Sequence, residues 1–195
     1  ALSPHTWAEW LDKDWFVCPD VPYRIQSAAS IYRHAADTII FDDEAHQAAL
    51  QRADEIGSDG KMVFRKGELL RLNGLEKLLI SMSAKLDNLI PGVGIWLNTQ
   101  RPEWNDANNA LVGRGASAVT VYQLRKHVHN LLTWTTDLPD RDLPAAKRIK
   151  LHWTQLIDAL RQYAEDGEAL RYLQAAMQAG SVYRESAYQK ELGER

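Results

Sequence analysis

The sequence predicts an all-α domain, and three observations predict it. Apolar residues recur at three- and four-residue spacing over several long stretches, the periodicity of amphipathic helices. The breaks between those stretches fall on Pro and Gly clusters, as helix ends do. Only one short segment, around residues 62–70, has strand character, and no internal repeat is visible. At 195 residues the chain fits one ordinary domain of ~100–200 residues. Residues 1–195 are therefore read as a single helical domain whose successive helices pair antiparallel across their connecting loops.

Residues 4–11 read as a short helix, with Ser3 as N-cap and Pro4 in the first turn. Pro19 and Pro22 then stop regular structure. Ile25, Ala28, Ala29, Tyr32, Ala35, Ala36 and Ile39 predict a helix over Ile25–Ile40, and Asp42 or Asp43 caps the next one through Ile56. GSDG at 57–60 is a turn, and KMVFRKGELLRL reads as a small β-hairpin turning at Gly67. Leu75, Leu78, Leu79, Met82 and Leu86 set one face of a helix ending near Leu89. From there to Asn109 no period is visible. A stretch that long with Pro, Gly and several Asn, yet two Trp, reads as an ordered functional loop. A helix from Ser117 to Trp134 follows, with Val119, Tyr122, Leu124, Val128 and Leu131 or Leu132 as its apolar side. LPDRDLP at 138–144 is a break. Helices over 145–165 and 168–178, and a last short one in YRESAYQKE, complete about seven.

Charge and composition exclude several classes of function. Twenty-three basic residues are interspersed with 26 acidic ones, giving a net charge of −3 and a pI near 6.1. No clustered Lys/Arg field for nucleic acid exists. No apolar run approaches the ~20 residues that span a bilayer, and no charged-then-apolar leader is visible, so no membrane partner is expected. Cys18 is the sole cysteine, which forbids an intrachain disulfide or a cysteine zinc cluster and suits a reducing, cytoplasmic compartment. His127 and His129 are two apart, not the four apart of helical zinc pairs, and the other histidines are isolated in sequence, so no metal and no resident cofactor is expected. GVG at 92–94 lacks the third glycine and the preceding strand of a dinucleotide loop. Seven Trp and seven Tyr against three Phe favour rings with polar handles, which suit sugar faces.

The chemistry centres on RPEWNDANNALVG at 101–113. Breaking a glycosidic bond needs a carboxylic acid to protonate the leaving oxygen, with a nucleophile or activated water on the opposite face. Asp106 and Glu103 are the two carboxylates of this run, and Asp106 is the favoured acid. Trp104 supplies a stacking wall, with Trp96 as a second aromatic in the same irregular stretch. Asn105, Asn108 and Asn109 offer donors and acceptors to hydroxyls. Arg101 orients a carboxylate or binds an anion bidentately. Glu103 alternatively braces the loop against Arg101.

WNDANNALVGRG resembles the W-N-D-G-M-N-x-(V/I)-G motif of inverting sugar phosphorylases, a family that includes cellobiose and chitobiose phosphorylases. The resemblance covers about a dozen residues, with Ala107 and Asn108 where the family has Gly-Met. It implies an (α/α)6 toroid of antiparallel helical hairpins with the motif at its rim, Asp106 as general acid, Trp104 lining the sugar subsite, and Asn105 and Asn109 in support. Inorganic phosphate is then a co-substrate if the reaction is phosphorolysis, and water takes its place in a toroid hydrolase. Six hairpins complete such a ring, and this chain supplies fewer. The ring is expected to be incomplete, with the remainder in a longer chain or a second subunit. An oligosaccharide or glycoside is the expected partner.

Other readings of the same residues stand beside this one. Asp106 with Asn108 also fits an Asx-type turn into the next helix. An EF-hand fails, since counting from Asp106 puts Leu111 at the sixth position and Ser117 at the twelfth, where Gly and Glu are required. Trp7, Trp10, Trp15, Trp134 and Trp153 are assigned to helix packing, and Phe64 and Arg65 to a hairpin that overhangs the site. A helical carbohydrate-binding or protein-interaction module without chemistry is the alternative function.

Overall fold

In the computed structural model the described residues are 3–27, 30, 39–97, 114–136, 138 and 144–192. They are mostly helical, with small antiparallel sheets. Pro4–Asp12 forms α1, capped by the Ser3 hydroxyl, which accepts from the Thr6 N–H at 3.2 Å. Asp43–Ile56 forms α2, capped by Asp42, whose carboxylate accepts from the Ala45 N–H at 2.9 Å. Gly74–Leu86 forms α3, Ala118–Thr135 α4, Lys147–Asp166 α5 and Ala169–Tyr188 α6. The last helix is continuous where two were expected. Nothing between Ala169 and Tyr188 breaks it except Gly180, which a helix tolerates at a modest cost.

Strands are more numerous than the sequence suggests. Phe16–Val17 (β1) pairs antiparallel with Arg71–Leu72 (β6), and Tyr23–Ile25 (β2) with Ile39–Phe41 (β3). The helix expected over Ile25–Ile40 therefore fails at both ends. Pro22 precedes one end, and the Ile39-Ile40-Phe41 run at the other is β-branched and aromatic, which favours strand; residues 28, 29 and 31–38 lie outside the described residues. Phe64–Arg65 (β4) and Glu68–Leu69 (β5) form the expected hairpin, turning through Lys66 and Gly67 at φ 51° and 84°. Leu89–Ile90 (β7), Gly94–Trp96 (β8) and Ala116–Ser117 (β9) make a three-stranded sheet where no regular structure was expected. Two- and three-residue strands are too short to display a period.

The core is a helical layer built on the α5–α6 hairpin. Gly167 in the left-handed region ends α5, and its N–H donates to the Tyr163 carbonyl at 2.8 Å. Helix α3 packs against both arms. Met82 and Leu86 of α3, Ile95 of β8, Leu124 of α4, Leu156 and Ala159 of α5, and Tyr172 and Ala176 of α6 form one buried cluster. Full burial of Leu or Met side chains contributes about 1.5–3 kcal/mol each. The inward face of α4 is Val121, Leu124, Val128 and Leu131, whereas Val119, Tyr122 and Leu132 are exposed. The predicted stripe was thus off only at its N-terminal end, where Val121 replaces Val119 and Tyr122, and of its two C-terminal alternatives Leu131 is the one that packs inward.

Two side-chain devices fix how the helices enter this layer. Asn73 and Glu76 form a reciprocal capping box at the start of α3, and both are fully buried. Glu76 also accepts from the Ala146 N–H at 2.8 Å, while the Asn73 amide donates to the Pro144 carbonyl at 2.6 Å. One carboxylate therefore ties α3 to the N-terminus of α5, the end where a negative charge is favoured. At the other side Trp7 stacks on Trp10 at 5.1 Å and meets Trp134 edge-on at 4.9 Å, docking α1 against α4. Trp153 packs in the main cluster as expected. Trp15 is half exposed, with the Lys13 ammonium 4.3 Å from its ring centre. Among the described residues no helix is long and apolar enough to cross a membrane.

Candidate functional site

Of the residues that the sequence singles out for chemistry, Trp96 is within the described residues. Arg101, Glu103, Trp104, Asn105, Asp106, Asn108 and Asn109 lie outside them. What is described is the pair of elements from which that run departs and to which it returns.

Those two ends are held side by side. In β8 and β9 the ladder places Trp96 opposite Ala116 and Ile95 opposite Ser117. The next pair continues the register, with the Leu97 N–H donating to the Gly115 carbonyl at 2.9 Å. Gly94 permits this approach, since its φ of 154° suits glycine and a β-carbon would stand 3.0 Å from the Ser117 backbone. Ser117 then caps α4 by accepting from the Thr120 N–H at 3.2 Å. On the opposite edge the Trp96 N–H donates to the Asn88 carbonyl at 2.7 Å, which ties the sheet to the end of α3. The half-buried Trp96 side chain packs with Ile25 and Ile90 against Leu173 and Met177 of α6. Helix packing thus claims part of this indole.

At the end of α3, one residue before the Asn88 that holds the sheet, lies a buried polar centre that sequence reasoning missed. Asp87, the C-cap of α3, is 3 % exposed, and Nε2 of His152 stands 3.0 Å from its Oδ1. The Arg184 guanidinium is 3.7 Å from its Oδ2. Tyr183 stacks on the His152 ring at 4.7 Å with the planes 9° apart. The His152–Asp87 approach is close but not aligned as a directed hydrogen bond. His152 Nδ1, the Tyr183 hydroxyl and Arg184 Nε likewise make no aligned hydrogen bond. Gly180 makes the room: a β-carbon there would collide with the Asp87 carboxylate.

Burial sets the electrostatics of this region. It pushes the Tyr183 and Tyr172 phenols well above their usual range, with the Asp87 charge adding to the effect. The Tyr172 hydroxyl donates to the Leu86 carbonyl at 3.0 Å, one residue before Asp87. Burial lowers the Arg184 guanidinium, and Asp87 and then Tyr188 oppose that fall. The Cys18 thiol is raised, again chiefly by burial. One sequence signal did mark the centre. His152 sits on the apolar stripe of Ile149, Leu156 and Ala159, a buried position for which a polar residue needs a reason.

An open cleft of about 400 Å³ lies elsewhere, along the C-terminal half of α6, with Gln26, Arg148, Gln178, Glu185 and Glu191 among its lining. Arg148 and Glu191 are paired across it at 2.6 Å, and Trp96 does not line it. The β4–β5 hairpin is held against the Cys18–Pro19 stretch, where the Val63 N–H donates to the Cys18 carbonyl at 2.8 Å. In comparisons with known proteins, no family model matches this chain and no curated protein matches it.

Proposed function

We propose that this chain forms part of a glycoside-active enzyme that cleaves a glycosidic bond with inversion, using Asp106 as general acid. The observation that carries the reading is WNDANNALVG in its setting: the run lies in the sequence between two paired strands, β8 and β9, which themselves fall between α3 and α4. A polar stretch whose flanking strands are held by the helical scaffold is a setting that enzymes favour for catalytic groups. Trp104 and Trp96 provide aromatic surface, Asn105, Asn108 and Asn109 bind hydroxyls, Arg101 orients a carboxylate, and Glu103 is the rival acid or the brace of Arg101. The α5–α6 hairpin suits the (α/α)6 toroid that the motif implies, with further hairpins supplied by a longer chain or a second subunit. The second reactant is water or inorganic phosphate.

The test is turnover of a panel of β- and α-linked disaccharides and aryl glycosides by the full-length protein, with and without inorganic phosphate. General acid catalysis is worth about 10²–10⁴-fold. Asp106→Asn is expected to lose at least ~100-fold while melting like the parent, and Glu103→Gln to lose less. Wild-type rates in Asp106→Asn would remove Asp106 from the mechanism. Saccharide binding that depends on Trp104, with no cleavage under any condition, would establish a binding module instead.

A further inference from the structure

We propose that Asp87 is a positioning residue: with His152 and Arg184 it anchors the β7–β8–β9 sheet and so fixes the two ends between which residues 98–113 run. The argument starts from the cost of the site. A carboxylate that is 3 % exposed is kept only where polar or charged partners compensate its lost hydration. Here the compensation comes from two different helices, His152 from α5 and Arg184 from α6, and Gly180 leaves a notch that the carboxylate fills. The C-terminal end of α3 is thereby bound to both arms of the hairpin. An apolar residue would pack there without directional demand. A charged one holds a single orientation.

What this end of α3 carries is the sheet. Asn88 follows Asp87 at once, and its carbonyl accepts the Trp96 N–H at 2.7 Å. Trp96 pairs with Ala116, and the Leu97 N–H donates to Gly115 at 2.9 Å. A short chain of hydrogen bonds thus joins the buried carboxylate to the last described residues on each side of the motif. The Tyr172 hydroxyl on the Leu86 carbonyl secures the same end from α6. Among the described residues Asp87 meets His152 and Arg184, and its proposed effect runs through this base.

The test is amide hydrogen exchange on the full chain, comparing wild type with Asp87→Asn, which keeps shape and removes charge. The Trp96 and Leu97 amides are expected to exchange at least ~10-fold faster, while those of Leu156 and Ala159 in α5 change several-fold less. Parallel acceleration of all four would mean that Asp87 merely stabilises the whole fold, and the proposal would fall. No acceleration at Trp96 and Leu97 would overturn it as well. If Asp87→Asn does not fold, His152→Gln is the second variant, with the same selective pattern expected. A kinetic arm rests on the glycoside reading: Asp87→Asn then lowers kcat while KM changes by less than ~3-fold, since ground-state contacts are untouched. Absence of turnover in the wild type would count against the glycoside reading, while the exchange pattern would still decide the anchor.

Discussion

Gly180 sits in the middle of a helix where alanine is ordinarily about 1 kcal/mol better. It is there because the Asp87 carboxylate occupies the space a methyl group would take. Gly180→Ala is therefore expected to destabilise by about 1–3 kcal/mol in denaturant unfolding, overpacking outweighing the propensity gain. A variant more stable than the parent would show that the carboxylate moves aside freely. At this scale the sequence was only half legible. His152 was read only as isolated in sequence, although its place on an apolar stripe could have marked it; Asp87 and Arg184 are distant from it in sequence and look like ordinary surface charges. Nothing local reveals that three helices bring them together.

Among elements, helix starts were the most readable feature and strands the least. Ser3, Asp42 and Ser117 each hold a hydrogen bond to the third residue beyond, the geometry that their side chains predict at a helix N-terminus. The sheet from β7 to β9 was invisible because its partners are brought together by tertiary packing and each strand is two or three residues long. The Glu76 carboxylate shows what joins one element to another. Its two oxygens accept from Asn73 and Ala146 backbone N–H groups, both buried from water. Glu76→Ala leaves both donors without partners, and the expected loss is about 2–6 kcal/mol, at about 1–3 kcal/mol for each orphaned group. Glu76→Gln, which keeps one acceptor and turns an amide N–H toward the other donor, is expected to fall between. A loss below ~1 kcal/mol for Glu76→Ala in chemical denaturation would mean that the two helix ends find other partners.

For the whole molecule, the buried phenols make stability depend on alkaline pH. Tyr172 and Tyr183 hold their protons more tightly when folded than in the unfolded chain, where a phenol titrates near ~10. The unfolded state therefore releases protons first, so their contribution is complete below that pH and is lost as pH rises toward the folded-state values. Cys18, also raised, acts with the same sign from a slightly lower pH. Melting temperature is expected to fall through this range, and less steeply in Tyr183→Phe. Identical alkaline slopes in the two proteins would show that Tyr183 titrates as an ordinary phenol. The helical class was legible in the sequence because helices of 13–20 residues carry a strong period. The candidate chemistry was legible through one short run, and what the fold adds is the scaffold around its ends.

The Asp87 centre has a consequence in time as well as in space. Its members come from α3, α5 and α6, so it closes only after the local helices have formed and the hairpin has docked. Contacts that close late are weakly formed at the barrier, and they govern how fast the native state is lost more than how fast it is gained. The charge cluster therefore works as a latch on lifetime: chains lacking it would reach the native fold at nearly the usual rate and leave it sooner.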